Sequence, residues 1–279
     1  MIWGREKRAQ RPGRLRLPLA AHYRRDWVKY HRAKLTSEPE HLYILPIGDI
    51  HLGHSKCDYK MLQGYLQWAD EHRENTRIIL MGDLLECATK TSVGKGIYEE
   101  SFCTNEQIKR MKEILRPYAD IIDGAVIGNH EMRISKDTSI DVMEQICDAL
   151  RIPYLGYSGV IGYSANKVAY SVFAWHGAGG GRKPGGSLNR LEDMAGVVQA
   201  DVYLMGHTHR ITSYTREIKV PDTRNAKITN ARQVFVNTGS CLEWDDGYPE
   251  MQGLTIPKRG FPRIRMNMAK GKKDVHVSL

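Results

Sequence analysis

Five short motifs place carboxylate, amide and imidazole side chains directly after apolar runs. In chain order they are Gly48-Asp49-Ile50-His51, Gly82-Asp83, Gly128-Asn129-His130-Glu131, His176-Gly177 and Gly206-His207-Thr208-His209. Asp and Asn supply hard oxygen donors and His supplies a borderline nitrogen donor, a mixture that suits divalent ions such as Mn²⁺, Fe²⁺ or Zn²⁺. The set offers enough ligands for two ions, and paired ions are suited to cleaving phosphate esters.

Each motif alone has an ordinary structural explanation. Gly82-Asp83 and Asn129-His130 are common turn sequences, and a lone His176 is more often a hydrogen-bonded side chain than a ligand. His207 and His209 are a stronger signal, because two imidazoles two residues apart in a tight turn can converge on one ion. It is the occurrence of all five in series that predicts a metal centre.

The elements that must position these motifs are short buried strands. Strands are predicted at Leu42–Gly48, Arg77–Gly82, Gly124–Gly128, 168–175 and Asp201–Gly206, and each is followed by one motif. Ligand sites of open α/β sheets gather beyond the carboxyl ends of the strands, so we expect the motifs at one rim.

The remaining segments are predicted from periodicity and turn residues. A hairpin joins 159–164 to 168–175, and 211–219 and 232–237 are further strands. Thr104 and Gln107 have the spacing of a capping box. Helices are predicted near Ala20–Leu35, over 58–74, from Thr104 to about Arg116, over 139–150 and from Ser187 to Gln199.

The charge distribution divides the chain into three segments. The net charge is +9, and residues 1–41 hold eleven Lys/Arg against four Asp/Glu, whereas residues 257–279 hold seven against one. We interpret 1–41 as a basic N-terminal extension, 42–256 as the catalytic domain and 257–279 as a basic C-terminal tail. Basic ends fit contact with an anionic polymer such as nucleic acid, and they also fit a role in solubility alone.

Composition points to the cell interior. No apolar stretch is long enough for a membrane span, and the first residues are too interrupted by Arg and Lys for a signal peptide. The five cysteines are odd in number and form no CxxC pair, which favours free thiols in a reducing compartment. We therefore expect a cytoplasmic protein without membrane contact; its oligomeric state is left open.

The motif order D-x-H, G-D, G-N-H-E, H-G, G-H-x-H resembles the calcineurin-like metallophosphoesterase superfamily, over roughly residues 42–241. That superfamily includes protein phosphatases, cyclic-nucleotide phosphodiesterases and Mre11-like nucleases. The resemblance implies an α/β fold of four layers, two mixed sheets packed together with helices outside. It also implies two divalent ions, with Mn²⁺ favoured and Fe, Zn, Ni or Mg as alternatives.

The resemblance implies a role for each motif residue. His130 would sit beside the scissile phosphate without binding metal, Asn129 would serve both metal and substrate, and Asp83 would bridge the ions. The first metal would be held by Asp49, His51 and His209, and the second by Asn129, His176 and His207.

Three neighbouring features carry further expectations. Many superfamily members read Gly-Asp-x-x-Asp where this chain has Glu86, so Glu86 is expected either to orient a ligand as that Asp would or to leave the ligand less well oriented. Glu131 is expected to orient the His130 imidazole. Arg182 and Lys183, in the glycine-rich loop 177–186, are candidate substrate contacts, although a flexible surface loop explains them equally well.

The resulting hypothesis is a hydrolase that cleaves a phosphodiester or phosphomonoester by attack of a metal-bridging hydroxide. Its substrate is a phosphoester, with nucleic acid or nucleotides as candidates. One alternative is an Mre11-like nuclease acting on DNA or RNA. Another is a scaffold that binds metal and has weak catalysis, but the motif set lacks none of the expected Asp or His residues.

Overall fold

Two six-stranded mixed sheets form the centre of the protein, as seen in a computed structural model that describes residues 28–90, 92, 96–179, 183–245, 248–271 and 273–279. In spatial order, the strands of the first sheet are β1 (Lys29–Arg32), β6 (Ser158–Ala165), β7 (Val168–Trp175), β8 (Val202–Met205), β10 (Lys227–Thr238) and β9 (Ile211–Asp222). Those of the second are β12 (Val275–Ser278), β11 (Arg263–Asn267), β2 (His41–Ile47), β3 (Thr76–Leu80), β4 (Ile122–Val126) and β5 (Tyr154–Gly156).

Helices cover the outer faces of both sheets. Their bounds are α1 (Tyr59–Glu71), α2 (Thr104–Leu115), α3 (Asn129–Thr138), α4 (Val142–Leu150), α5 (Pro184–Asp193) and the short α6 (Tyr248–Met251). Apolar side chains of α1, α2 and α4 pack on the second sheet, and those of α5 pack on the first. The predicted four-layer α/β fold is therefore confirmed. Within the described ranges, no helix is long and apolar enough to cross a bilayer.

Alternation along the strands explains why the layers hold together. In β8, Val202 and Leu204 lie in the core between the sheets, whereas Tyr203 and Met205 face the α5 side. Successive side chains of a strand point to opposite faces, so a strand that is apolar at every position must be covered on both. Each fully buried side chain of this size contributes roughly 1.5–3 kcal/mol.

Both ends of the described chain belong to the sheets. Lys29–Arg32 is a strand paired in parallel with β6, so the helix predicted over Ala20–Leu35 is wrong at these residues, and its residues 20–27 lie outside the described part. The tail at 257–279 is part of the second sheet, since β11 pairs with β2 and with β12. Tertiary pairing overrides local helical periodicity and local charge in both places.

The predicted capping box of α2 is also absent. Gln107 is fully buried, and its amide donates to Glu100 Oε1 and to the Phe102 carbonyl. Its carbonyl oxygen accepts from the backbone N–H of Cys87, at 3.0 Å. The side chain therefore joins α2 to the loop that follows Asp83.

A buried ion pair joins β3 to β4 beneath the rim. Arg77 donates from Nε to Asp123 Oδ2 at 2.8 Å and from Nη2 to Oδ1 at 2.5 Å, and both side chains are almost fully buried. Burial lowers the pKa of Arg77, and the hydrogen bonds and charge of Asp123 outweigh it and raise the pKa. Removing one partner would leave the other charged and buried, which is expensive.

We therefore expect Asp123→Ala to lower the free energy of unfolding by about 3–5 kcal/mol. The matched control is Glu106→Ala, which breaks an exposed pair with Arg110 and should leave the denaturation midpoint nearly unchanged. Urea denaturation followed by circular dichroism would measure both. Equal small effects of the two substitutions would contradict a structural role for the buried pair.

Candidate metal centre

The five motifs meet at the carboxyl ends of strands from both sheets. β2, β3 and β4 run parallel in the second sheet, and β7 and β8 run parallel in the first. His51 follows β2 and His209 follows β8, and their Nε2 atoms lie 3.1 Å apart. The rim expected from the strand pattern is therefore formed jointly by the two sheets.

The backbone at this rim is strained at the residues expected to bind metal. Positive φ is uncommon for a residue with a side chain and costs free energy. Five of the expected ligands adopt it: Asp49 (47°), His51 (53°), Asp83 (47°), His207 (64°) and His209 (56°). Concentration of such strain at one place is typical of a functional site.

Two glycines permit the close approach of the loops. A Cβ on Gly128 would lie 2.1 Å from Asp83 Oδ1, and one on Gly206 would lie 2.6 Å from Asp49 Oδ2. Any larger residue would displace the carboxylates. This packing explains the glycine that begins each of these two motifs.

The first donor group consists of Asp49, His51 and His209, whose ligand atoms all lie within 4.8 Å of one another. Asp49 Oδ1 is 3.3 Å from His209 Nε2. Both Asp49 oxygens accept from the backbone N–H of His207, at 3.1 and 2.9 Å, which fixes the carboxylate. The structure thus brings together the three residues that the resemblance assigned to one ion.

The second donor group consists of Asp83, His176 and His207. The backbone carbonyl of Met81 accepts from His176 Nδ1 at 2.7 Å, so Nε2 faces the site. Asn129 Oδ1 lies 3.0 Å from His176 Nε2 and 2.7 Å from His207 Nδ1. The amide oxygen of Asn129 is therefore placed where an ion could replace these contacts.

One oxygen of Asp83 lies between the two groups. Its Oδ2 is 3.3 Å from His176 Nε2, 3.8 Å from His130 Nε2 and 4.0 Å from His51 Nε2. Burial alone would raise the pKa of Asp83, but the imidazoles of His176 and His130 hold it well below its usual range. The carboxylate is therefore ionised and central.

Glu86 holds two imidazoles in place. Its Oε2 lies 3.0 Å from His51 Nδ1 and 3.3 Å from His130 Nδ1, and its backbone carbonyl accepts from His130 Nδ1 at 2.8 Å. Burial works against ionisation of Glu86, and its hydrogen bonds with His130 and His51 lower its pKa well below the usual range. A carboxylate on Nδ1 leaves Nε2 of His51 directed at the first donor group.

Glu131 does not orient His130, contrary to the sequence-based expectation. Its Oε2 accepts from the backbone N–H groups of Asp83 at 3.0 Å and Gly128 at 3.1 Å, and Oε1 accepts from Leu85 at 3.1 Å. Glu131 lies in the first turn of α3, where a side chain turns back toward unpaired N–H groups. It therefore joins two motif loops instead of contacting the imidazole.

Arg133 is a residue at the site that the sequence analysis missed. Its Nη2 lies 2.9 Å from His130 Nε2, and its Nη1 donates to the Glu86 carbonyl at 3.3 Å. Arg133 follows His130 by three positions on α3, so the two share one helix face. The sequence indicates the proximity of Arg133 to His130 only when α3 is known to begin at Asn129.

The glycine-rich loop is described only in part. Arg182 lies outside the described residues, and Lys183 is an exposed residue immediately before α5. A Cβ on Gly179 would meet the Arg190 guanidinium at 2.7 Å, so Arg190 packs against the start of the loop. Substrate contact by Arg182 and Lys183 stays a prediction.

The residues present fit two divalent ions. The first and second donor groups converge around Asp83, and a third group, formed by His51, Glu86 and His130, shares His51 with the first. No cysteine of the described part joins any of the three. His51 Nε2 and His209 Nε2 face each other at 3.1 Å. Unless a proton or an ion lies between them, the lone pairs of the two nitrogens point at each other. Binding of an ion would satisfy both rings.

Protons should compete with metal at His176. Burial lowers the pKa of His176, but Asp83 outweighs it and raises the pKa to about 10. Between pH 6.5 and about 10, the folded metal-free protein therefore holds a proton that the unfolded chain has lost, and the stability this proton gives is lost as the pH rises through about 10. An ion that binds Nε2 must expel that proton.

We expect Mn²⁺ binding at pH 8 to release at least one proton per chain, the one held by His176, and the affinity to rise with pH below pH 10. Calorimetric titration in two buffers of different ionisation enthalpy measures the released proton. His51, whose pKa burial lowers to about 4, should contribute none at this pH. Binding without proton release at pH 8 would contradict the described ion pair of Asp83 and His176.

No protein-family model matches the chain, and no curated protein matches it in sequence. Three of the similar solved structures are Vps29 from Entamoeba histolytica in complex with Zn²⁺, a metallophosphoesterase from Sphaerobacter thermophilus and a putative diadenosine tetraphosphatase. They are 16%, 16% and 12% identical to this chain, with TM-scores of 0.39, 0.36 and 0.36. The aligned parts cover 85%, 80% and 90% of this chain and 98%, 83% and 99% of the other.

Identities and TM-scores this low carry no residue role over to this chain, so the roles rest on the side-chain geometry described above.

Proposed function

We propose that this protein is a binuclear metal-dependent phosphoesterase that hydrolyses a phosphodiester or phosphomonoester. The observation that carries the proposal is the position of Asp83 Oδ2, a buried carboxylate oxygen within 4.0 Å of imidazole nitrogens from both donor groups. Asp49, His51 and His209 would hold one ion, Asn129, His176 and His207 the other, and Asp83 both. When bound, the two ions would make a water molecule acidic near neutral pH and neutralise charge on the phosphate.

His130 is the proposed proton donor to the leaving oxygen. Its Nδ1 donates to the Glu86 carbonyl, and its Nε2, which accepts from Arg133 Nη2 at 2.9 Å, would have to exchange that contact for one with the substrate. Burial lowers the pKa of His130, and the carboxylates of Asp83 and Glu86 outweigh it and raise the pKa, which favours a ring that carries a proton near neutral pH. A positioned acid of this kind contributes about 10²–10⁴-fold to the rate.

Asn129 is proposed to serve substrate and metal together. Its Oδ1 faces the nitrogens of His176 and His207, so the amide NH₂ is directed away from them. That group can donate to a phosphate oxygen. An amide has both an acceptor and a donor, whereas an aspartate at this position would repel the anion.

A nuclease is the second candidate, and the basic ends of the sequence favour it. In the C-terminal segment part of the charge is already paired, since Arg259 contacts Asp58 at 3.1 Å and Lys273 contacts Asp201 at 2.8 Å. Arg263 lies over the Trp68 ring, 4.4 Å from its centroid. These three side chains are therefore less available for a nucleic-acid contact. A cytoplasmic location is part of the same proposal.

Two substitutions separate metal binding from proton donation. We expect Asp83→Ala to lose bound Mn²⁺ and all activity, because both donor groups lose their shared oxygen. We expect His130→Ala to retain Mn²⁺ and to lower turnover about 10²–10⁴-fold. Metal content is measured by mass spectrometry after dialysis, and activity with bis-p-nitrophenyl phosphate, p-nitrophenyl phosphate and labelled single-stranded DNA.

His276→Ala, which removes an exposed histidine in β12, is the control and should behave as the original protein does. Loss of metal from His130→Ala would show that His130 is a ligand. A protein that binds two ions and cleaves none of the three substrates would favour the scaffold hypothesis. Cleavage of the monoester alone would favour a phosphatase over a nuclease.

A further inference from the structure

Arg133 stands at the outer side of the centre, next to the atom of His130 that can reach a substrate. Its Nη2 lies 2.9 Å from His130 Nε2. Exposure of the side chains increases outward, from 2% for Asp83 to 15% for His130 and 24% for Arg133. A substrate group in contact with His130 would therefore have Arg133 as its neighbour on the solvent side.

The charge of Arg133 is incompletely paired by the protein. Its nearest carboxylate oxygen, Glu86 Oε1, is 3.6 Å away, which is too long for a hydrogen bond. Its short contacts are to a ring nitrogen of His130 and to the Glu86 carbonyl, and the Glu86 carboxylate is closer to His51 Nδ1, at 3.0 Å. The guanidinium is thus anchored and still able to bind an anion.

The geometry points to Arg133 as the residue that recognises a negatively charged leaving group, and so to a substrate whose leaving group carries a phosphate of its own. This inference rests on the proposed function, in which His130 faces the leaving oxygen. The hydrolysis adds water across one P–O bond. The leaving oxygen departs with its electron pair and takes a proton, and the attacked phosphorus keeps the hydroxyl from water. Two sources fit this chemistry, a nucleoside polyphosphate and a nucleic-acid strand.

Two substrate pairs test the inference and distinguish the sources. ADP and AMP both lose a terminal phosphate, but ADP releases a nucleotide and AMP a nucleoside. The dinucleotide dTpdT and its 5′- and 3′-phosphorylated forms make the same comparison for a strand. We expect kcat/KM to be about 10- to 100-fold higher for ADP than for AMP, or for a phosphorylated dinucleotide than for dTpdT. A factor of this size is expected of a charge-assisted hydrogen bond.

Arg133→Gln should abolish that preference, and Arg133→Lys should keep part of it. Lys136→Gln, the same charge change one turn further along α3 at an exposed position, should leave it unchanged. Thermal melts confirm that each variant is folded. If Arg133→Gln slows both members of each pair equally and the preference persists, or if no preference exists, Arg133 only positions His130 and the inference fails.

Binding of the leaving group alone supplies a readout that needs no turnover. Calorimetry should show that AMP binds the Mn²⁺-loaded protein more tightly than adenosine does, and that Arg133→Gln weakens AMP about tenfold or more without affecting adenosine. If AMP binding depends on Arg133 but the protein has no hydrolytic activity, the proposed function is refuted and the anion-binding role of Arg133 is supported. AMP binding that is indifferent to Arg133 would overturn the inference even in an active enzyme.

Discussion

A buried carboxylate surrounded by imidazoles is the constraint on which the rest of the site depends. Asp83 is 1% exposed, and its charge would be very costly there without cationic partners. His176 supplies one such partner, at 3.3 Å. The loops that hold Asp83 must therefore be rigid enough to keep its carboxylate at this distance from the imidazole of His176.

That stiffness comes from hydrogen bonds between motif loops. Glu131 accepts from the backbone N–H groups of Asp83 and Leu85 in one loop and of Gly128 in another, and Glu86 holds His51 and His130 through their Nδ1 atoms. Five expected ligands adopt left-handed backbone conformations, which cost about 1–3 kcal/mol each. The two packed sheets offset this cost because each loop begins at the end of a strand that is already buried.

The motif positions were predictable because they combine two signals, an apolar run and a polar turn after it. The four-layer fold followed from resemblance to a superfamily, since periodicity alone does not specify how two sheets pack. The strands β11 and β12 were missed because charge dominated the interpretation of residues 257–279. Arg263, Ile264, Arg265 and Met266 do alternate, but a short alternation among many lysines and arginines is a weak signal.

The roles of Glu131 and Arg133 depend on where α3 begins, which is a boundary that sequence patterns specify poorly. As a turn, Asn129-His130-Glu131 would place Glu131 beside the imidazole. As the first turn of a helix, it directs Glu131 back to the backbone and places Arg133 over His130. A single change in local geometry thus exchanges the neighbours of His130.

The pairing of β11 with β2 has a consequence for how the protein folds during its synthesis. β2 leads to Asp49 and His51, whereas β11, which pairs with its other edge, follows all five motifs in the chain. A ribosome-bound chain would therefore expose an unpaired edge on β2, where long-range pairing is slow and prone to aggregation. The loops that carry the donor residues are therefore all made before the sheet that supports Asp49 and His51 is complete.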